Sequence, residues 1–278
     1  MPRSSARWPR RTTRATAVWS RNSASAPTEY GHRRPPIQVT SSAAPVAIVG
    51  AMHEELAAVL ALMPDEHRVT VGGREFWPGH LHGQPVVAVL ARIGKVAAAT
   101  TATLLASHFG VRAIVFTGVA GGLGVGVNVG DVVVGRSFLQ HDLDASPIFA
   151  RHEVPLYGTS RFDADAAWAD ALARAARRAL PAARVHEGLV ISGDRFVSTT
   201  REARALQSEL PDALAVEMEG AAFAQVCHDF GLPLAVVRTI SDRADDAAHG
   251  DFTEFVRTVA SPHSAAIIDA LMAGPLPD

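Results

Sequence analysis

The chain has 278 residues, 48% of them hydrophobic and 19% charged, with a formal net charge of −2. That length allows one large domain or two small ones around a substantial core. The single cysteine, Cys227, excludes an intrachain disulfide and a four-cysteine zinc site, and no apolar run reaches the length of a membrane span. Charge is uneven. Residues 1–40 carry eight arginines against one acid, Glu29, a net +7 that leaves −9 for the rest. An acidic body argues against nucleic acid as the main partner.

Residues 1–45 are rich in Arg, Ser, Thr, Ala and Pro and show no hydrophobic period. Such a segment buries too little apolar surface to order itself, so it is read as a disordered tail before one domain at 46–278. A transit segment and untranslated upstream sequence are competing readings. No apolar h-region follows the arginines, so the secretory pattern is missing and a cytoplasmic location is expected.

Val46–Gly50 is an apolar run ending in glycine, a buried strand by its shape. Residues 53–63 are helical, with Leu56, Leu60 and Met63 on one face and Glu54 and Glu55 in the first turn. Residues 72–81 and 85–91 read as a hairpin around His82-Gly83. Residues 96–109 form an alanine-rich helix beside Lys95, the chain's only lysine. Residues 113–117 are a buried strand, 118–126 a glycine-rich turn, and 131–134 a strand. Residues 140–157 are irregular, 165–180 helical, and Val185–Ser192 a strand. Residues 199–210 are helical with Ser198 or Thr199 as N-cap. Residues 214–216 lead into Glu217-Met218-Glu219 and a helix-like stretch to Val226. Residues 234–240 are a buried strand ending at Ser241-Asp242. Residues 252–272 form a last helix, kinked or interrupted at Pro262.

Apolar strands alternating with helices indicate an α/β domain whose sheet is covered on both faces. Ligands in such folds sit at the C-terminal ends of strands. Five groups collect there: residues 52–55, 118–122, 193–197, 217–219 and 241–242. Glu217 and Glu219 at i and i+2 on a strand would share a face; acids before a helix also suit its positive dipole end. Either reading fits this stretch alone. The glycine run lacks both the Walker pattern and the Gly-x-Gly-x-x-Gly spacing, which leaves close backbone approach to a ligand or a flexible turn. Residues 140–144, with His141, Asp142 and Asp144, have no second histidine at ligand spacing, so a polar loop or subunit contact is favoured over a metal site. There is no Gly-x-Ser-x-Gly elbow, and Cys227 reads as a buried, inert thiol. Paired acids are the best chemistry present, one protonated to assist a leaving group and one ionised to activate water. Burial would raise the pKa of Asp242 and Arg238 would lower it; the sequence leaves the balance open.

In order along the chain, residues 46–56, 93–99, 117–123, 191–197, 216–219 and 238–245 resemble the 5′-methylthioadenosine/S-adenosylhomocysteine nucleosidases of the purine nucleoside phosphorylase-like superfamily. The likeness spans residues 46–272. Val-Glu-Met-Glu together with Ile-Ser-Asp carries the superfamily, and Gly-Ala-Met-x-Glu-Glu carries the nucleosidase branch. The resemblance implies a three-layer α/β/α fold with a mixed, barrel-like central sheet, usually a homodimer. It implies hydrolysis of an adenine N-glycosidic bond with no metal and no cofactor, acting on a small nucleoside and not on nucleic acid or a membrane. By the same resemblance Glu55 activates water, Asp242 protonates purine N7, and Glu219 grips the ribose hydroxyls with Met218 against the sugar. Phe196 stacks on adenine, the backbone of Val197 bonds its edge, and Gly121 lines the ribose and water side. Met52, Ile93 and Phe252 wall the 5′-alkylthio pocket. Ser241 accompanies Asp242, and Glu217 supports the site as a partner of Arg238 or a second sugar contact. Residues 145–149, from Ala145 to Phe149, reach the neighbouring subunit's pocket. Three positions depart from the pattern: Val119 where serine is frequent, Arg92 where a small residue is common, and His53 where an acid stands. They bear on which 5′ substituent is preferred. The rivals are a purine nucleoside phosphorylase, which would need a basic phosphate cradle where Glu54-Glu55 stand, and a nucleoside-binding protein without catalysis.

Overall fold

The apolar runs do become strands, and their pairing explains where a ligand can enter. A computed structural model describes residues 44–244 and 252–278; the tail reading lies outside it except for residues 44 and 45. Ten strands form one sheet among the described residues: β1 (Val46–Gly50), β2 (Val69–Val71), β3 (Arg74–Leu81), β4 (Gln84–Leu90), β5 (Ala113–Gly122), β6 (Val132–Gln140), β7 (Arg161–Asp163), β8 (Val185–Ser192), β9 (Ala213–Glu217) and β10 (Leu234–Asp242). The spatial order is β10-β6-β8-β9-β5-β1-β4-β3-β2, with β7 beside β6. A further pairing of β10 with β5 closes β5, β10, β6, β8 and β9 into a barrel of mixed strand direction.

Strand β5 changes neighbour along its length. Its first half pairs with β1 up to Gly50 opposite Thr117, and its end pairs with β9 from Gly121 opposite Val216. Between those contacts β10 continues on its other side. The sheet therefore splays beside Gly118, Val119 and Ala120, and this gap is the crevice of the molecule. Glycine suits the place. A Cβ at Gly122 would come within 3.1 Å of Ile240 Cγ2, and one at Gly118 within 3.1 Å of Ala51 Cβ.

Two helical layers cover the sheet. Helices α2 (Lys95–Ser107) and α5 (Gly220–Phe230) pack on one face through Ala98, Ala102, Leu105 and Phe223. Helices α1 (His53–Leu60), α3 (Ala166–Ala179) and α7 (Ser261–Met272) pack on the other through Leu56, Trp168, Leu172 and Ile268. This is the expected three-layer arrangement. Local signals set several boundaries. Asp165 accepts a hydrogen bond from the Trp168 N–H at 2.9 Å and caps α3. Gly231 ends α5 at φ 62°. Helix α4 (Thr200–Glu209) is capped by Thr199.

Some expected boundaries move. The glycine-rich stretch is not a turn until Gly122; residues 118–122 continue β5 because β10 and β9 supply their ladder partners. Strand β6 runs on to Gln140, with a register shift between Gly135 and Ser137. The hairpin turns at His82-Gly83, both left-handed at φ 51° and 75°, but Gly72-Gly73 forms another turn that adds β2. Helix α1 stops at Leu60, short of Met63. The closing helix is not interrupted at Pro262; it stays helical from Phe252 to Met272 and changes type just before the proline. Residues Phe252–Phe255 form α6, Val256–Ala260 form a π-helical turn, and Pro262 stands in the first turn of α7 directly after it. Among the described residues no helix is long and apolar enough to cross a membrane.

Candidate active site

A cavity of about 380 Å³ opens at the splayed strand ends. Eleven of the residues singled out from sequence line it: Met52, Ile93, Gly121, Phe196, Val197, Glu217, Met218, Glu219, Ser241, Asp242 and Phe252. Val119, one of the departures noted above, lines it too, and Ala51, Ala120, Arg195 and Val216 complete the wall. Glu55 and Arg238 stand behind it.

Glu55 is fully buried in the first turn of α1. Its Oε2 accepts hydrogen bonds from the backbone N–H groups of Ala51 at 3.0 Å and Met52 at 2.9 Å. The same two residues line the cavity, so the carboxylate is clamped directly beneath the wall. Its Oε1 is buried and has no hydrogen-bond partner among the described residues, an acceptor that burial makes costly to leave unpaired. Burial pushes its pKa up to about 7, against the two N–H bonds and the charge of Arg238. A carboxyl poised near neutrality can hold or release a proton at working pH.

The two acids of β9 and α5 have different surroundings. Glu217 is the last residue of β9, whereas Glu219 has left the strand (φ −135°, ψ −35°) and stands at the N-cap of α5; the shared strand face does not form. Glu217 accepts from the N–H of Gly220 at 2.8 Å, the N–H of Glu219 at 3.2 Å, the hydroxyl of Ser192, and Arg238 Nη2 at 2.8 Å. It is saturated. Arg238, 1% exposed, also donates to the Val237 carbonyl at 3.2 Å and lies over the Phe116 ring at 3.9 Å. The pair is a buried brace under the helix start, and Ser192 extends it by accepting from the Ala221 N–H at 2.8 Å. Glu219 accepts from the Gly94 N–H at 2.8 Å, which ties α5 to the start of α2. Burial first, and the charge of Glu217 second, raise its pKa to about 7.

Asp242 ends β10 just past an irregularity. Ile240 pairs with Ala120 and Asp242 with Gly121, so Ser241 is the extra residue of a bulge. A bulge re-aims the side chain that follows it, here into the cavity. Asp242 Oδ1 accepts from the Ala244 N–H at 2.7 Å and Oδ2 from the Ser241 hydroxyl at 2.7 Å. Gly121 makes room for it, since a Cβ there would lie 3.0 Å from Asp242 Oδ1 and 2.9 Å from Ala244 Cβ. Residue 245, the end of that motif, lies outside the described residues.

Phe196 and Phe252, both in the cavity wall, meet edge to face with centroids 6.2 Å apart. Phe196 is 42% exposed while Val197 is buried, an aromatic face offered to a planar ligand beside a fixed backbone. The rim is held by a network not foreseen as such. Lys95 Nζ meets Asp142 at 2.5 Å, the Lys95 N–H bonds Asp194 at 2.7 Å, and the Asp194 N–H bonds Asp142 at 2.8 Å. The uniqueness of Lys95 and the polar 140–144 loop were the two signals of it. Asp142 is thus a structural ligand of Lys95. Residues 145–149 do not line this chain's own cavity, and Ile148 is 82% exposed. Cys227 is buried in α5 with its thiol pKa raised by burial.

A family model described as the phosphorylase superfamily matches residues 45–273. Solved structures agree. The 5′-methylthioadenosine/S-adenosylhomocysteine nucleosidase of Neisseria meningitidis, in complex with methylthio-immucillin-A, is 36% identical over 83% of this chain and 99% of its own, with a TM-score of 0.78. That of S. pneumoniae, with a transition-state inhibitor, is 34% identical over 82% and 98%, TM-score 0.74. Futalosine hydrolase of Helicobacter pylori is 33% identical over 82% and 97%, TM-score 0.76.

Proposed function

Because the chain belongs to the phosphorylase superfamily and, within it, to the 5′-methylthioadenosine/S-adenosylhomocysteine nucleosidases, we propose that it hydrolyses the N-glycosidic bond of a 5′-modified adenosine and releases adenine. Asp242 donates a proton to N7 of the purine, so the bonding pair leaves with a neutral base. Positive charge builds at C1′ of the ribose as in other glycoside cleavages. Glu219 accepts hydrogen bonds from the ribose hydroxyls, with Met218 against the sugar. Water donates to Glu55 Oε1, loses its proton there, and its oxygen bonds to C1′. Phe196 stacks on the base and the Val197 backbone reads its edge.

The observation that carries hydrolysis over phosphorolysis is the charge around the cavity. Glu219 lines it and Glu55 backs it, the charge of Glu217 is matched by Arg238, and the one basic side chain in its wall among the described residues, Arg195, is paired with Glu202. A phosphate anion placed ~4 Å from an ionised carboxylate would meet a repulsion of roughly 4 kcal/mol at an effective dielectric near 20. Incubation with 5′-methylthioadenosine in phosphate-free buffer should therefore yield adenine and the free thioribose. A strict requirement for phosphate, with a sugar 1-phosphate as product, would make the protein a phosphorylase. Binding without turnover would make it a nucleoside-binding protein.

The exposed segment 145–149 serves the neighbouring copy's cavity in a homodimer. Light scattering should give the mass of a dimer; a monomer with full turnover would remove that segment from the site.

A further inference from the structure

A second and larger space adjoins the cavity. This groove has a volume of about 790 Å³ and shares Ala51, Met52 and Ile93 with it. Met52 and Ile93 are also the residues expected to meet the 5′ substituent. A side chain longer than a methylthio group would pass between them and enter the groove.

The groove is cationic. Arg74 and Arg92 both line it. Arg74 is buried, and it donates to neutral acceptors: Thr101 Oγ1 at 2.9 Å and the Ala97 carbonyl at 3.1 Å. Arg92 is exposed and donates to the Gly73 carbonyl. Among the described residues no carboxylate forms an ion pair with either. Glu75, the acid in the groove wall, bonds Arg68 at 3.0 Å. The two arginines also sense each other, since burial and then the charge of Arg92 lower the pKa of Arg74.

The backbone of Arg92 marks it further. Its φ is 64°, the left-handed region, which costs a non-glycine residue energy and concentrates at functional sites. It stands two residues before Gly94, whose N–H bonds Glu219. Cα atoms two apart are at most ~7.6 Å from each other, so Arg92 is anchored to the element that meets the ribose clamp.

We infer that Arg92 is a specificity residue, which selects substrates bearing a carboxylate on the 5′ side chain by binding that carboxylate in the groove between α1 and β3. Arg74 adds positive charge behind it, and a guanidinium offers paired donors matched to a carboxylate. The inference rests on the nucleosidase reading above.

The test compares kcat/KM for 5′-(3-carboxypropylthio)-5′-deoxyadenosine and its methyl ester, with S-adenosylhomocysteine and 5′-methylthioadenosine as natural probes. Arg92→Gly suits the left-handed backbone and should fold, as its melting temperature will show. The acid-to-ester ratio should favour the acid in the wild type and fall about tenfold or more in Arg92→Gly, the range of a charge-assisted hydrogen bond. Arg92→Lys should retain part of the preference, and added salt should weaken it. Equal rates for acid and ester in the wild type, or equal losses for both in Arg92→Gly, would overturn the inference while 5′-methylthioadenosine turnover keeps the nucleosidase reading. Failure of the wild type to cleave any of the four would sink both.

Discussion

Glu55→Gln should abolish adenine release while leaving the fold intact. Removal of a general base typically costs ~10²–10⁴-fold. The amide can still accept from the Ala51 and Met52 N–H groups, which hold Oε2 in the wild type, but it cannot take a proton from water. Near-wild-type turnover would end the assigned role. The wild-type pH profile should carry the same signature. With Glu55 held up to about 7 by burial, activity should fall as pH drops through that value, because the base becomes protonated. Glu219 sits in the same range, so the acid limb belongs to both carboxyls rather than to either alone.

The same substitution has an opposite effect on stability. In the unfolded chain Glu55 ionises near 4.5, and in the folded chain only near 7. Between those values the folded state binds more protons, so its stability falls as pH rises. The full shift corresponds to roughly 3 kcal/mol at ~1.4 kcal/mol per pH unit. Glutamine escapes this loss. Glu55→Gln should melt above the wild type at pH 8 and lose that advantage near pH 4.5. Equal melting curves at both pH values would mean that burial does not hold the carboxyl up.

Asp242→Asn should lower turnover of adenine nucleosides by ~10²–10⁴-fold with substrate binding preserved. Asparagine keeps the shape and an acceptor for the Ala244 N–H, which Asp242 Oδ1 now serves. It has no acidic proton for N7, so adenine would have to leave as an anion. The loss should shrink for synthetic nucleosides whose leaving group needs no protonation. A uniform loss across leaving groups would assign Asp242 to positioning instead.

Much of this site was readable because its chemistry sits in short motifs at strand ends. Val46–Gly50, with Glu55 five residues on, is a buried strand followed by a helix start, and periodicity suffices to show it. What the residues alone did not reveal was pairing. Gly118 to Gly122 have the composition of a turn, yet β9 and β10 make them a strand. Glu217 and Glu219 look equivalent two residues apart. Only the fold supplies Arg238 and Ser192 to one and Gly94 to the other. Three-residue strands such as β7 carry too few residues for any period. Arg92 was noticeable as an unusual side chain, but its left-handed backbone and its groove come from the coordinates.

The closing contact between β10 and β5 makes the barrel a hoop, and Asp242 rides on the strand that closes it. Glu55 and Glu219 are placed through β1, β5 and β9, and Asp242 joins them only through β10. A version of this chain lacking β10 would lose Asp242 and also leave β5 and β6 with open, adhesive edges.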